Sequence, residues 1–521
     1  MINYISIKSL LPGSGKTSLL CKVFAEAENL KDKVILTPSN KSRQVCIKYL
    51  VKYGIKHSMA ERYVCTMRKF KGNYVVVMNN GKTEYIPSTT KTKTYKRFYN
   101  IFIDEYSMLS KWEIDDLIEN VPIANIITAG DCNQFKPVPS NYVILDSKRN
   151  PVKTNSGEIL QQIDKGELPD LKATTEIVLN KQLRSTDYKL VELLEAIKNG
   201  DVYTIFALLT DLVNKDERIF NYDTKGKSIT GLNINIENFQ AIAYTHRTCH
   251  IINNFVKDCK RFIVTNNDFG RELYKDEFYS LEEVSQHKMY KYEEVSQYDY
   301  KFDVDAWAKK IFSPAYAVNA HRLQGETIKD YKVGIVLYDI LGLVWNADEA
   351  WKERAKDFKD LLTDEDRQKF AEDLNELGTT LDERIETFQK FLYVALSRAT
   401  SMDQIHIFLD KVDINLLNYT ISRFKPMEND WSDDAIFISA DDEKIFDLFN
   451  FSERTDEDYE NWKNKWRHTS YDLREIDYEN RKPKSKIQDN EDIVKDAKEM
   501  SYKDWKLKYN KSLSSWQRCR K

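Results

Sequence analysis

Gly13, Gly15, Lys16 and Thr17 stand in the stretch SLLPGSGKTSLL at the spacing of a loop that cradles phosphate, Gly, four residues, then Gly-Lys-Ser/Thr, with Leu10 in the place of the first glycine. Backbone N–H groups of such a loop, opening a helix, bind anionic oxygens. An ammonium at Lys16 reaches the outer phosphates and a hydroxyl at Thr17 holds Mg²⁺. Such a loop needs a carboxylate partner for the metal, and YNIFIDEYSML supplies one: Asp104 is expected to hold Mg²⁺ through water and Glu105 to activate an attacking water. ANIITAGDCNQFKPV follows, with Gln134 placed to touch the outermost phosphate and report its state.

These residues need elements to carry them. INYISI before the loop alternates as a strand, and KTSLLCKVFAEAENL after it has the helical spacing of Leu19, Leu20, Val23 and Phe24, which argues against a chance Gly-Lys-Thr loop. The apolar IFI ending at Asp104, and IIT ending at Gly130-Asp131, read as further strands of one α/β layer. Between them, GNYVVVMNNGKTEYIPS holds two alternating runs around Asn80-Gly81, the strongest short hairpin signal.

The bulk numbers set bounds. A chain of 521 residues suits two to four domains, and a net charge of -3 means that any nucleic-acid surface must be local. The seven cysteines contain no C-x-x-C pair, which argues against structural zinc and for a reducing compartment. No apolar run approaches about 18 residues, so a soluble intracellular, cytoplasmic protein is expected, with no membrane partner. Usage rich in Lys, Asn, Tyr and Ile looks like an AT-rich, viral genome and so a virus-infected cell.

Taken in order, the phosphate loop, DEYS, GDCNQFKPV, LNKQLRS, AYAVNAHRLQGET and YVALSRAT resemble a superfamily 1 helicase of the RecD/Dda type, the 1B branch, over roughly residues 1 to 410. The resemblance implies an α/β chain in which two RecA-like P-loop domains with parallel sheets sandwich ATP. Pro12, Gly13, Ser14, Gly15, Lys16, Thr17 and Ser18, with Gln324 and Gly325, would hold the nucleotide. Lys16, Glu105, Gln134, Arg184 and Arg398 would be catalytic, the two arginines neutralising charge on the transferring phosphoryl group. Thr37, Pro38, Ser39, Asn40, Lys41, Thr66, Asn319 and His321 would line the strand, gripping backbone phosphates without reading sequence.

The match has departures. Asn319 replaces a usual threonine, Arg322 a usual lysine and Arg68 a usual histidine. No glutamine motif precedes Ile2, so other NTPs besides ATP are expected to serve. The implied layout is a first RecA-like domain over 1-170, with a hairpin insertion about 63-99 that would act as a strand-separating pin or be merely decorative. A second domain over 171-425 follows, with a reduced insertion 262-308 and a charged helical insertion 341-391 whose charges form a solvated face. Residues 426-521 read as a C-terminal extension containing two Tyr-x-x-Trp-Lys-x-Lys pieces, suited to nucleic acid or to docking a replication protein. The expected function is an ATP-dependent, Mg²⁺-requiring helicase of DNA replication or repair, moving 5′ to 3′ on single-stranded DNA. The alternatives are a viral RNA helicase and an NTP-driven switch that binds nucleic acid without unwinding it.

Overall fold

The computed structural model describes residues 2–27, 32–70, 74–77, 83–86, 100–121, 123–131, 133–135, 137, 140–143, 161–164, 166–169, 171–213, 218–226, 228–256, 259–265, 273, 275–284, 311–345, 377–378, 380–429 and 431–451. The chain divides into two compact units, Met1–Glu453 and Arg454–Lys521. The second unit, with both Trp/Lys pieces, lies outside the described residues.

The first layer is built on β1 (Asn3–Ser9), α1 (Lys16–Glu26), β2 (Lys33–Thr37), α2 (Asn40–Lys52), α3 (His57–Tyr63) and β3 (Val64–Thr66). It continues through the short helix α4 (Met67–Phe70), β4 (Tyr74–Val77), β5 (Thr83–Ile86), β6 (Asn100–Ile103), α5 (Lys111–Asn120) and β7 (Asn125–Ala129). After the antiparallel pair β8 (Ser140–Val143) and β9 (Gln161–Asp164) comes β10 (Thr175–Leu179). β2, β6 and β7 are buried along their whole length, which is why KVILT, NIFI and NIITA read as nearly continuous apolar runs: helices cover both faces of a parallel sheet. Phe24, Leu20, Phe102, Ile127 and Ile177 form the core on one face, and Val34, Ile101, Ile114 and Leu117 on the other.

The second layer has α6 (Tyr188–Asn199) and α7 (Val202–Val213), the hairpin β11 (Phe220–Tyr222) with β12 (Ile229–Leu232), then β13 (Phe239–Ala243) and α8 (His246–Asn254). β14 (Arg261–Val264), β15 (Phe278–Ser280) and β16 (Phe312–Pro314) make a small antiparallel sheet where the reduced insertion was expected. β17 (Ala317–Asn319), β18 (Lys332–Val336) and β19 (Ile405–Phe408) complete a parallel sheet in the order β17–β13–β18–β19. The chain is thus α/β with two parallel sheets, as the sequence implies.

β4 and β5 pair antiparallel, with Tyr74 opposite Ile86 and Val77 opposite Thr83, so the expected hairpin forms; its Asn80-Gly81 turn lies outside the described residues. The helix Leu381–Leu396 buries Ile385, Phe388, Phe391 and Leu392, so residues 381–391 of the expected charged insertion are core of the second layer; residues 346–376 lie outside the description.

The first sheet reaches past the boundary expected at residue 170. Its order is β20–β10–β1–β7–β6–β2–β3, where β20 is Ile436–Ile438. β10 pairs parallel with β1, and β20 returns from the far end of the second layer to pair parallel with β10, Ile177 opposite Ile436 and Leu179 opposite Ile438. Behind it, Ile445 at 0% exposure and Phe449 at 8% enter the core around Phe24, and Asn3 donates to the Asn450 carbonyl at 2.7 Å. Periodicity hides this strand, because three apolar residues in an acidic stretch have no period to show. Losing a buried Ile or Phe costs roughly 2–5 kcal/mol each. A chain ended at Pro426 is therefore expected to melt well below the full chain, whereas one ended at Glu453 keeps the full melting temperature of the first unit. Thermal unfolding followed by circular dichroism checks both.

Candidate active site

The expected chemistry gathers at the carboxyl ends of the first sheet's strands, where open α/β sheets bind ligands. Gly13 and Gly15 leave β1 at φ 83° and 89°, in the left-handed region that glycine alone enters freely. Leu10 shows no positive φ, so the missing first glycine costs no backbone strain. Leu10 instead packs with Leu11 against the core of the second layer, and its carbonyl accepts from Lys198 at 2.9 Å. α1 starts at Lys16. The Lys16 ammonium donates to Ser9 Oγ at 2.5 Å and lies 3.9 Å from Asp131 Oδ2. Ser14 is buried, donating to the Leu11 carbonyl, and Pro12 is buried beside it; Ser18 shares a 2.6 Å hydrogen bond with the Tyr53 hydroxyl.

Thr17 Oγ1 donates to Asp104 Oδ1 at 2.8 Å. The other Asp104 oxygen accepts the Cys46 thiol at 3.5 Å, a contact from α2 that nothing in the sequence pattern signals. Among the described residues no group of three or more His, Cys, Asp or Glu surrounds a point. One carboxylate and one hydroxyl fit a cation such as Mg²⁺, which keeps several waters and takes its remaining ligands from phosphate. Burial, then the adjacent Glu105, pushes the Asp104 carboxyl up to about 7 from 3.8, against the hydrogen bonds from Thr17 and Cys46.

Glu105 follows in a left-handed conformation, φ 49°, and its Oε2 is buried with no hydrogen-bond partner. Burial raises its carboxyl, while Lys16, Arg398 and Arg184 oppose the rise. Asp131 and Gln134, 5% and 6% exposed, complete this side, and Asp131 Oδ2 and Gln134 Oε1 also lack hydrogen-bond partners. Asp131 is a site residue that the Gly130-Asp131 signal reached without a role being read from it.

Arg184 lies on the segment between β10 and α6, so it leaves the first sheet rather than projecting from the second. Its guanidinium donates to the Ser397 carbonyl at 2.6 Å. Neighbouring Gln182 caps the phosphate loop, donating to the Pro12 carbonyl and accepting the Arg184 N–H at 2.7 Å. Arg398 is 1% exposed, donating to the carbonyls of Val394, Leu323 and Glu326 at 2.9, 3.0 and 3.1 Å and to Ser397 Oγ. Burial, then the nearby Arg184 charge, lowers it to about 9, opposed by Glu105, Glu326 and Asp131. Both expected arginines therefore belong to one electrostatic cluster with the acids. Gln324 is buried with Nε2 unpartnered, and a Cβ added at Gly325 would sit 3.4 Å from Glu105 Oε1.

The expected strand contacts are placed differently. Thr37 is fully buried and donates to the Ser39 carbonyl, while Ser39 caps α2 by accepting the Ser42 N–H. Lys41 is buried too. Its ammonium donates to the Arg322 carbonyl at 2.8 Å and pairs with Glu326 at 3.2 Å, tying α2 to the second layer. Asn319 is 1% exposed; it donates to the Tyr244 carbonyl and accepts the His321 N–H at 2.8 Å. His321 stacks on Phe135, centroids 3.8 Å apart, and burial, then His246, drops it to about 3, so it is neutral at ordinary pH. Pro38, Ser39, Asn40 and Thr66 keep partial exposure.

Residues 9–140 match a family model described as an AAA domain, a span holding the phosphate loop, Asp104-Glu105 and Gln134. No curated protein matches the sequence. Among solved structures the chain is similar to a Bacteroides Pif1 bound to single-stranded DNA, at 13% identity over 80% of this chain and 92% of that one, with TM-score 0.40. It is similar also to a Bacteroides Pif1 helicase in complex with ADP-AlF3 and single-stranded DNA, at 13% identity, the same coverages and TM-score 0.39. Pif1 helicases from a study of unwinding at forked double-stranded DNA match at 14% identity over 80% and 92%, with TM-score 0.39. No helix among the described residues is long and apolar enough to cross a membrane.

The raised Asp104 carboxyl sets a stability test. The folded chain binds its proton more tightly than the unfolded chain, so this contribution is complete below about 4 and is lost as pH rises through about 7. Asp104→Asn removes the buried charge. Without metal at pH 8 it is expected to melt higher than the unaltered chain, with the difference closing toward pH 4. Melting temperature against pH checks the sign.

Proposed function

We propose that this chain is an NTP-dependent helicase that uses ATP and Mg²⁺ to move along a single nucleic-acid strand, DNA in the 5′ to 3′ direction. The observation that carries the reading is that Glu105, next to the Thr17–Asp104 pair, lies within the electrostatic reach of Lys16, Arg184 and Arg398, and that Arg184 is bonded to the second layer's Ser397. The superfamily 1 motif order supports the choice of nucleic acid as the track.

Lys16 would exchange Ser9 for the outer phosphate oxygens. Thr17 and Asp104 would hold Mg²⁺, whose charge offsets that of the β and γ oxygens. Glu105, its Oε2 unpartnered, would accept the proton of the attacking water, and Gln134 would orient that water. Arg184 and Arg398 would offset charge building on the transferring phosphoryl group, a contribution of roughly 10³–10⁵ in rate for arginine fingers. The Lys41–Glu326 pair and the His321–Phe135 stack would link the nucleotide crevice to α2 and β17.

Lys16→Ala is expected to lose strand-stimulated phosphate release, and Glu105→Gln to bind nucleotide normally while stopping turnover. Near-normal release from either variant removes the assignment. Duplexes with 5′ or 3′ single-stranded tails, in DNA and in RNA, test the track: displacement of 5′-tailed DNA alone is the expected result. Hydrolysis without displacement of any duplex would favour the switch reading instead.

A further inference from the structure

The segment that leaves β10 for α6 is tied along its length, and its ties change partner on the way. Asn180 N–H donates to the Ile438 carbonyl at 3.1 Å and Lys181 pairs with Asp441 at 2.7 Å, which holds the start to the edge of the first sheet. Leu183 N–H donates to the Gly13 carbonyl at 3.1 Å, so the middle lies along the phosphate loop. Arg184 donates to the Ser397 carbonyl at 2.6 Å, and Ser185 Oγ to the Thr400 carbonyl at 2.7 Å. Asp187 Oδ2 accepts the Met402 N–H at 2.7 Å, so the end lies along the turn that follows the helix Leu381–Leu396.

Gln182 stands where the partners change. Its Nε2 donates to the Pro12 carbonyl, and its Oε1 accepts the Arg184 backbone N–H at 2.7 Å. A primary amide suits this place because it donates and accepts at once. The fit around it leaves no slack. A Cβ added at Gly13, where φ is 83°, would lie 2.5 Å from Gln182 Oε1 and 2.6 Å from Arg184 Cβ. The phosphate loop is therefore pressed against the groups that set where the Arg184 side chain departs from the backbone.

Resting on the catalytic role proposed above for Arg184, we propose that Gln182 is a positioning residue for that arginine. Its amide bonds the loop that would hold the phosphates to the backbone that carries the guanidinium, and so sets the distance between them. It contributes no phosphate ligand, since both ends of the amide are bonded within the chain. A reacting group displaced by about 1 Å can forfeit roughly a hundredfold in rate. The phosphate ligands themselves, Lys16 and the backbone N–H groups ahead of α1, do not depend on where Arg184 points. A change at Gln182 therefore separates two quantities: binding of the ground state is kept and binding of the transition state is lost.

The full chain, with Mg²⁺, is titrated with ADP and with ADP–aluminium fluoride, in which the fluoride stands in for the transferring phosphoryl group. Strand-stimulated phosphate release is measured alongside. Gln182→Met keeps the length and loses both bonds. It is expected to bind ADP within about twofold of the unaltered chain, and to lose about tenfold or more in kcat and in affinity for the aluminium fluoride complex. Gln182→Glu, which keeps the acceptor for Arg184 and loses the donor to Pro12, is expected to show the same split. In an Arg184→Ala background, adding Gln182→Met is expected to change that affinity by less than about twofold, because a residue that acts through Arg184 has nothing left to position. Parallel loss of ADP and the aluminium fluoride complex overturns the proposal and makes Gln182 a support of the loop. So do losses that multiply in the double variant, and so does an unchanged kcat in Gln182→Met. If Arg184→Ala alone binds the aluminium fluoride complex normally, the catalytic role of the arginine fails first, and this positioning role with it.

Discussion

Three carboxylates crowd the crevice at the carboxyl ends of β6 and β7, and the placing of charge around them governs the rest of the arrangement. Asp104 and Glu105 are held where burial penalises the charged form of a carboxylate, and Asp131 is 5% exposed beside them. Lys16, Arg184 and Arg398 are the cations that answer Glu105, and two of these arrive from beyond the first three strands of the motif order. Arg398 is itself expensive to bury. Its donors meet the carbonyls of Val394, Leu323 and Glu326, so the helix that ends at Leu396 and the segment after β17 are fixed by the same side chain that feels Glu105. Removing one of these cations leaves Glu105 less compensated, and breaking a buried pair costs far more than breaking a surface one.

The same constraint joins the two layers. Leu10, Leu11 and Phe135 leave the first sheet and pack into the second layer's core, and Phe135 carries His321 on its ring. Burial disfavours the Lys41 charge, and Glu326 opposes that effect from across the divide. Contacts of this kind come from the first residues after strands, where a sheet's carboxyl edge ends and its loops begin. The crevice at the strands' carboxyl ends is therefore also the seam between layers.

Much of this was legible in the residues. The strand, loop and helix around Gly15 are local, and their spacing shows in a window of twenty residues. Asp104 and Glu105 close an apolar run, and a run buried on both faces cannot hide its strand. The Asn80-Gly81 signal found its hairpin because a two-stranded turn is also a local matter. Other partners were out of reach for a common reason: they are set by packing between segments far apart in the chain. Cys46 against Asp104, Gln182 on Pro12, Asp131 beside Lys16 and Glu326 on Lys41 are such pairs, and a cysteine or glutamine in a helix or loop carries no periodic mark of its neighbour.

The sequence by itself determined the α/β class and the strand, glycine turn and helix around Gly15, because each depends on residue type at short spacing; the two arginines were reached only through the resemblance of the motif order. The tertiary structure alone decided that Arg184 belongs to the segment leaving the first sheet, that Lys41, Thr37 and Asn319 are buried among internal partners, and that Ile436–Ile438 closes the edge of the first sheet. Those outcomes turn on which strand edge stays open and which polar groups must find partners once water is gone, and both are properties of the assembled layers. No residue spacing encodes them.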